Sequence, residues 1–254
     1  MFPVSDSTRR RLTPFVNWTL LAINVAVFVY RLTLGSEQTV AVGVFTASEQ
    51  EKFLFDYGFV AACLGQEAGL AVNATSDALS VCPAGNREFL QVLTSMFVHG
   101  GLVHLAGNLI FLWIVGDNVE DRMGHLRYIV FYVLCGIAAA AVQTVMSVNT
   151  VVPAIGASGA IAGVLGAYLL MFPFARIQVI IFPLFFLPFF LPAVVLIGIW
   201  FFMQLVSGVG EIGDATVGSG VAWWAHIGGF IAGAVLIWLF KRPQPRRWRE
   251  SRGS

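Results

Sequence analysis

Ser158 stands in the tetrapeptide Gly156-Ala157-Ser158-Gly159 at the head of one apolar stretch, and His226 interrupts a later one, Trp223-Trp224-Ala225-His226-Ile227-Gly228-Gly229. A hydroxyl and an imidazole that meet within ~2.6–3.2 Å form a nucleophile and its general base, the pair needed for acyl transfer through a covalent intermediate. Ionisable groups inside apolar spans are costly to keep and by default carry function. His104 and Asn108 add two polar side chains one helical turn apart, hence on one face. They can glue helices together or donate to a developing oxyanion. Ser158 opens its helix, where unpaired N–H groups and the dipole favour negative charge, although a serine there is also a common structural cap.

Several other chemistries are excluded by what the sequence lacks. Gly156-Ala157-Ser158-Gly159-Ala160 misses the final glycine of GxSxG, and no strand is expected before it, so this is not the elbow of a soluble hydrolase. His99 and His104 are five apart, HExxH is absent and no carboxylate lies mid-helix, so no metal is expected. No GxxxxGK loop occurs, which excludes nucleotide use, and no cofactor is implied. A chain with 11% charged residues and net charge +1 offers no continuous basic surface for nucleic acid.

The elements that must position these residues are membrane spans. Apolar residues make up 57% of the chain and mean hydropathy is +0.80, whereas an average soluble chain is about 25% charged. Runs near 15–34, 92–116, 126–147, 177–206 and 222–240 are long enough to cross a bilayer, and a sixth near 158–172 is short. The expected fold is an all-α bundle of six transmembrane helices, with a long outer loop after the first and a short central fourth. The first run is read as a retained helix rather than a removed signal peptide. Counting 1.5 Å per residue back from Pro173 and Lys241 puts Ser158 and His226 at the same depth, roughly 22 Å up. Small residues allow the close approach this requires: Gly159, Gly163 and Gly166 on the fourth helix, and Gly229 and Gly233 on the face of the sixth that carries His226.

Lys and Arg flank the odd-even loops on one side: Arg9, Arg10 and Arg11, then Arg122 and Arg127, Arg176, and the run from Lys241 onward. Both termini are therefore expected in the cytoplasm. The organisation is a segment 1–14, a membrane domain 15–240 with an outer loop at about 35–91, and a basic tail 241–254 that favours anionic lipid. The outer loop is too long for a plain connection. Its aromatic residues fit either an interfacial, re-entrant piece or a small subdomain packing on itself. Cys63 and Cys82 share that loop, so an oxidising compartment permits a disulfide without requiring one, while Cys135 is a small apolar side chain. Pro183, Pro188 and Pro192 read as breaks in the fifth helix, either mobile or a fixed bend.

These residues resemble the rhomboid family of intramembrane serine proteases. Gly156-Ala157-Ser158-Gly159 is similar to the family's GxSG, Ala225-His226 followed by Gly229 and Gly233 to its AH and GxxxG, and His99, His104 and Asn108 to its HxxxxHxxxN. The resemblance implies a Ser158/His226 dyad, an oxyanion hole made by the Ser158 N–H with the His104 and Asn108 side chains, and a loop shaped by Gly156 and Ala157. It also implies transmembrane protein substrates that enter beside the second and fifth helices, with Trp200 and Phe201 as bulky groups at that gate. Glu120, Arg122 and Gly124 resemble a structural motif. One departure is Arg87-Glu88-Phe89-Leu90-Gln91, where the family often has Trp-Arg. A bacterial inner membrane is the expected location. Two other classes compete: a non-cleaving client-binding protein of the same fold, which usually lacks the serine or histidine, and a small transporter, which tends to show interrupted segments in two related halves.

Overall fold

The computed structural model of the chain describes residues 2–8, 10–37, 39–83, 87–180, 189–211 and 221–242. A strand, β1 (Phe2–Asp6), leads to the first long helix, α1 (Phe15–Leu32). A helix start leaves backbone donors unpaired, and here buried Glu120 accepts from the amides of Val16 and Asn17 at 3.1 and 2.8 Å. The outer loop then folds into a hairpin of β2 (Thr39–Val42) and β3 (Phe45–Ser48), helix α2 (Glu49–Tyr57), strand β4 (Phe59–Val60), and short helices α3 (Ala61–Glu67) and α4 (Ser76–Leu79). Ser48 and Glu51 form a reciprocal capping box at the start of α2. A disulfide joins Cys63 to Cys82, beside a small apolar core that includes Val60 and Ala62.

The single helix expected near 92–116 is corrected to two, α5 (Glu88–Ser95) and α6 (Leu102–Met123). Gly100 and Gly101 are poor helix formers, and Arg31 of α1 donates to the carbonyls of His99 and Gly100 at 3.4 and 3.2 Å, drawing that backbone away from a helical ladder. Gly124, at φ +79, turns the chain into α7 (His125–Met146). A two-residue strand, β5 (Pro153–Ala154), does precede Ser158, contrary to expectation. It pairs antiparallel with β4 of the outer loop and so tethers the serine's loop to that unit.

The helix that opens at the serine is α8 (Ser158–Met171), and every residue from Gly159 to Tyr168 is buried. Apolar on all sides, it belongs at the centre of the molecule, where its own Leu165 and Tyr168 are fully buried together with Tyr128 and Tyr132 of α7. Strands β6 (Arg176–Ile180) and β7 (Phe189–Pro192) follow, then α9 (Ala193–Glu211) and α10 (Trp223–Phe240). The fifth helix expected from 177 therefore begins at Ala193. The β-branched run Ile177, Val179 and Ile180 pairs in a three-stranded sheet of order β1-β6-β7 instead. Pro192 precedes α9 rather than kinking it, and Pro183 and Pro188 lie outside the described residues, as does the tail from 243 onward.

Among the described residues, α1, α6, α7, α9 and α10 are long and apolar enough to cross a membrane, and α8, at 14 residues, is a shorter apolar helix. The chain is a mostly helical, multi-pass integral membrane protein.

Candidate active site

The Ser158 hydroxyl and His226 Nε2 are 2.7 Å apart. Glycines explain how two helices bring them together. A Cβ added at Gly229 would sit 2.0 Å from the Gly159 carbonyl oxygen, and one at Gly233 would sit 2.0 Å from that of Gly163. Gly166 is nearly as tight against the Phe230 carbonyl, at 2.4 Å, and Gly163 against Cys135 of α7. Backbone thus touches backbone along α8 and α10, as small-residue stripes permit. Next to this contact on α8 and one turn from it on α10, the side chains at 158 and 226 fall within hydrogen-bond reach.

Gly156 holds the loop before Ser158 at φ +116, a conformation that L side chains rarely adopt. Its amide donates to the Ser95 carbonyl at 2.9 Å. A Cβ there would lie 2.6 Å from His104 Nε2 and 3.6 Å from the Ser158 hydroxyl. The absent side chain therefore leaves a gap bounded by the His104 imidazole and the serine, and Ala157 beside it is fully buried. Asn108, also buried, donates one amide hydrogen to the His104 carbonyl at 2.8 Å and has a second to offer. Behind His104 stands His99, ring against ring at 5.1 Å and 66°. His99 lies in the turn before α6 and is fully buried.

Two amides went unseen in the sequence. Gln204 of α9 places Oε1 2.7 Å from His226 Nδ1, and Gln143 of α7 accepts from the Ala225 amide at 3.0 Å, capping the start of α10. Their only signal is a polar side chain inside an apolar span, the general mark of intramembrane function. Trp200 and Trp223 flank the His226 ring at 5.9 and 6.2 Å, and Phe201 stacks on Phe230 at 4.2 Å. Glu120, Arg122 and Gly124 lie at the other end of α6 from His104. Glu120 binds His125 as well as the start of α1, Arg122 covers the Phe172 ring at 4.8 Å, and a Cβ at Gly124 would collide with Arg242. A cavity of about 500 Å³ opens between His104, Gly100 and Ile155 and the residues Phe45, Leu54 and Phe55 of the long loop after α1.

Fold and site together define a multi-pass helical membrane protein with a hydrogen-bonded serine and histidine carried by two of its packed helices. The family model for the Rhomboid domain matches residues 86–243, more than half of the chain, and the chain belongs to the rhomboid family. It is similar to Rhomboid protease GluP of Bacillus subtilis, 42% identical over 82 residues that cover 32% of this chain and 16% of that protein. Rhomboid protein 1, mitochondrial, of Saccharomyces cerevisiae is 26% identical over 60% of this chain and 42% of its own length. The human presenilin-associated rhomboid-like protein, mitochondrial, is 28% identical over 67% of this chain and 45% of its own. The matches thus span less than half the length of each of these relatives.

Proposed function

We propose that the chain is an intramembrane serine endopeptidase that cleaves transmembrane segments of other membrane proteins through a Ser158/His226 dyad. The observation that carries this reading is the 2.7 Å hydrogen bond between the two side chains. As the Ser158 oxygen bonds to the scissile carbonyl carbon, its proton passes to His226 Nε2. The resulting oxyanion is held by the Ser158 N–H, His104 and the second amide hydrogen of Asn108, around the gap that Gly156 leaves. Collapse breaks the C–N bond, and the leaving amine takes the proton from Nε2. Water, deprotonated by the same imidazole, then hydrolyses the acyl-enzyme and returns Ser158.

In this reading six helices span the bilayer, α8 being the short central one, and residues 15–240 form the protease domain between cytoplasmic segments 1–14 and 241–254. The substrate enters beside α6 and α9, past Trp200 and Phe201. Of the five long helices α9 is the least buried, which suits a segment that must give way. Partners are the substrate's transmembrane segment and membrane lipid. Relatives come from a bacterium and from mitochondria, so they lend no support to a bacterial inner membrane in particular.

Labelling of the detergent-purified chain with a fluorophosphonate tests the dyad without knowledge of the substrate. Wild type should label, and Ser158→Ala and His226→Ala should not. A folded, lipid-supplemented wild type that stays unlabelled and leaves transmembrane test substrates uncut would sink the protease in favour of non-cleaving client binding. Solute flux in liposomes that survives both substitutions would favour a transporter.

A further inference from the structure

Gln204 sits in an otherwise apolar stretch of α9, 5% exposed, with both ends of its amide engaged. Its Nε2 donates to the Trp200 carbonyl at 3.2 Å, and its Oε1 faces His226 Nδ1 at 2.7 Å. A backbone carbonyl only accepts, so Trp200 fixes which end of the amide points at the histidine. An amide oxygen also only accepts, so Nδ1 must carry the hydrogen. A neutral imidazole has one N–H. Nε2 therefore presents its lone pair to Ser158, and the hydroxyl donates across the 2.7 Å contact.

From this chain of bonds we infer that Gln204 is a positioning residue, which holds His226 in the tautomer and ring orientation that let Nε2 take the serine's proton. The inference rests on the proposed Ser158/His226 dyad. Without Gln204 a buried imidazole gains nothing by keeping its hydrogen on Nδ1. Moving it to Nε2 points a donor at the hydroxyl, and the serine's proton then has no acceptor. Trp200 and Trp223 restrict the plane of the ring, but an indole N–H cannot accept and so cannot select this tautomer. During proton transfer His226 becomes an imidazolium, and its Nδ1–H keeps the Gln204 oxygen as partner. The base is thus steadied from α9, a third helix beside α8 and α10, which carry the nucleophile and the base.

The test compares the full-length wild type with Gln204→Leu, which removes the acceptor at similar volume, and Gln204→Glu, which keeps one. Two readouts are taken in detergent: the fluorophosphonate labelling rate, and the ring ¹⁵N signals of His226, assigned by their loss in His226→Ala. The Leu variant should label about tenfold more slowly or worse, given what a wrong tautomer costs a serine hydrolase. It should also lose the Nδ1–H signature, and Glu should restore both. Labelling of the Leu variant at the wild-type rate overturns the inference, as does slow labelling with the tautomer unchanged, which would mean packing alone. If wild type itself neither labels nor cuts transmembrane test substrates, the protease reading fails, and the ring spectra still decide: loss of Nδ1–H in Leu upholds the positioning role and its retention refutes it. Gln204→Met replaces a Leu variant that does not fold.

Discussion

His99 shares a sequence motif with His104 and Asn108, yet its place in the structure is behind the site. The ring is fully buried and edge-on to His104. Burial, reinforced by the neighbouring His104 and only partly offset by the Phe97 backbone, lowers its pKa from 6.5 to about 4. The fold thus holds His99 neutral, while the unfolded chain binds a proton between these two values. A state that binds fewer protons gains stability as pH rises, so this contribution is complete above 6.5 and is lost as pH falls toward about 4. The melting temperature of the detergent-solubilised protein should therefore fall across that window, and His99→Leu should show a shallower fall. An equal slope in the variant would assign the dependence to other groups. The role that follows for His99 is to wall in His104, whose Nε2 lies against Gly156.

At the scale of helices, the glycine contacts between α8 and α10 set the register of Ser158 against His226. Leucine at Gly233 would place its first carbon 2.0 Å from the Gly163 carbonyl oxygen, so the helices must part or slide. Overpacking costs about 1–3 kcal/mol, and a shift of ~1 Å at a reacting pair costs on the order of 100-fold in rate. Gly233→Leu should then lower fluorophosphonate labelling about a hundredfold and ease unfolding in denaturing detergent, and wild-type labelling would show that the stripe does not position the dyad. These glycines were legible from their spacing, as were the bounds of α1, α7, α8 and α10, because a membrane span is marked by the apolar run itself. Hydropathy alone did not separate α5 from α6, since Val92 to Val98 stays largely apolar through the break. Nor could it distinguish the strand Arg176–Ile180 from the start of a helix, because short apolar runs satisfy either. Of the site, Ser158 and His226 stood in local patterns. Gln204 did not, because its relation to His226 exists only across the packed interface of α9 and α10.

The whole molecule combines a membrane part with an outer unit, residues 39–83, that lies ahead of the family match beginning at residue 86. The two meet where β4 pairs with β5, which ends two residues before Gly156, and around the cavity that His104 shares with Phe45 and Phe55. The Cys63–Cys82 disulfide ties down the chain that forms one wall. Ser80, two residues before the bridge, accepts from the Val44 amide at 3.0 Å and lies against Gly43, whose φ of +60 makes the hairpin turn. Val81, next to the bridge, lines the cavity itself. Closing a loop of this size stabilises a fold by about 3 kcal/mol, mainly by restricting the unfolded chain. The double variant Cys63→Ala/Cys82→Ala should accordingly unfold more readily, and limited proteolysis should cut the outer unit first. Fluorophosphonate labelling should persist in it, because the Ser158–His226 hydrogen bond depends on the α8–α10 contact and not on the bridge. Labelling lost together with the disulfide would mean that the β4–β5 pairing transmits the order of the outer unit to the Gly156 loop. The outer unit would then be a part of the catalytic apparatus rather than a wall beside it.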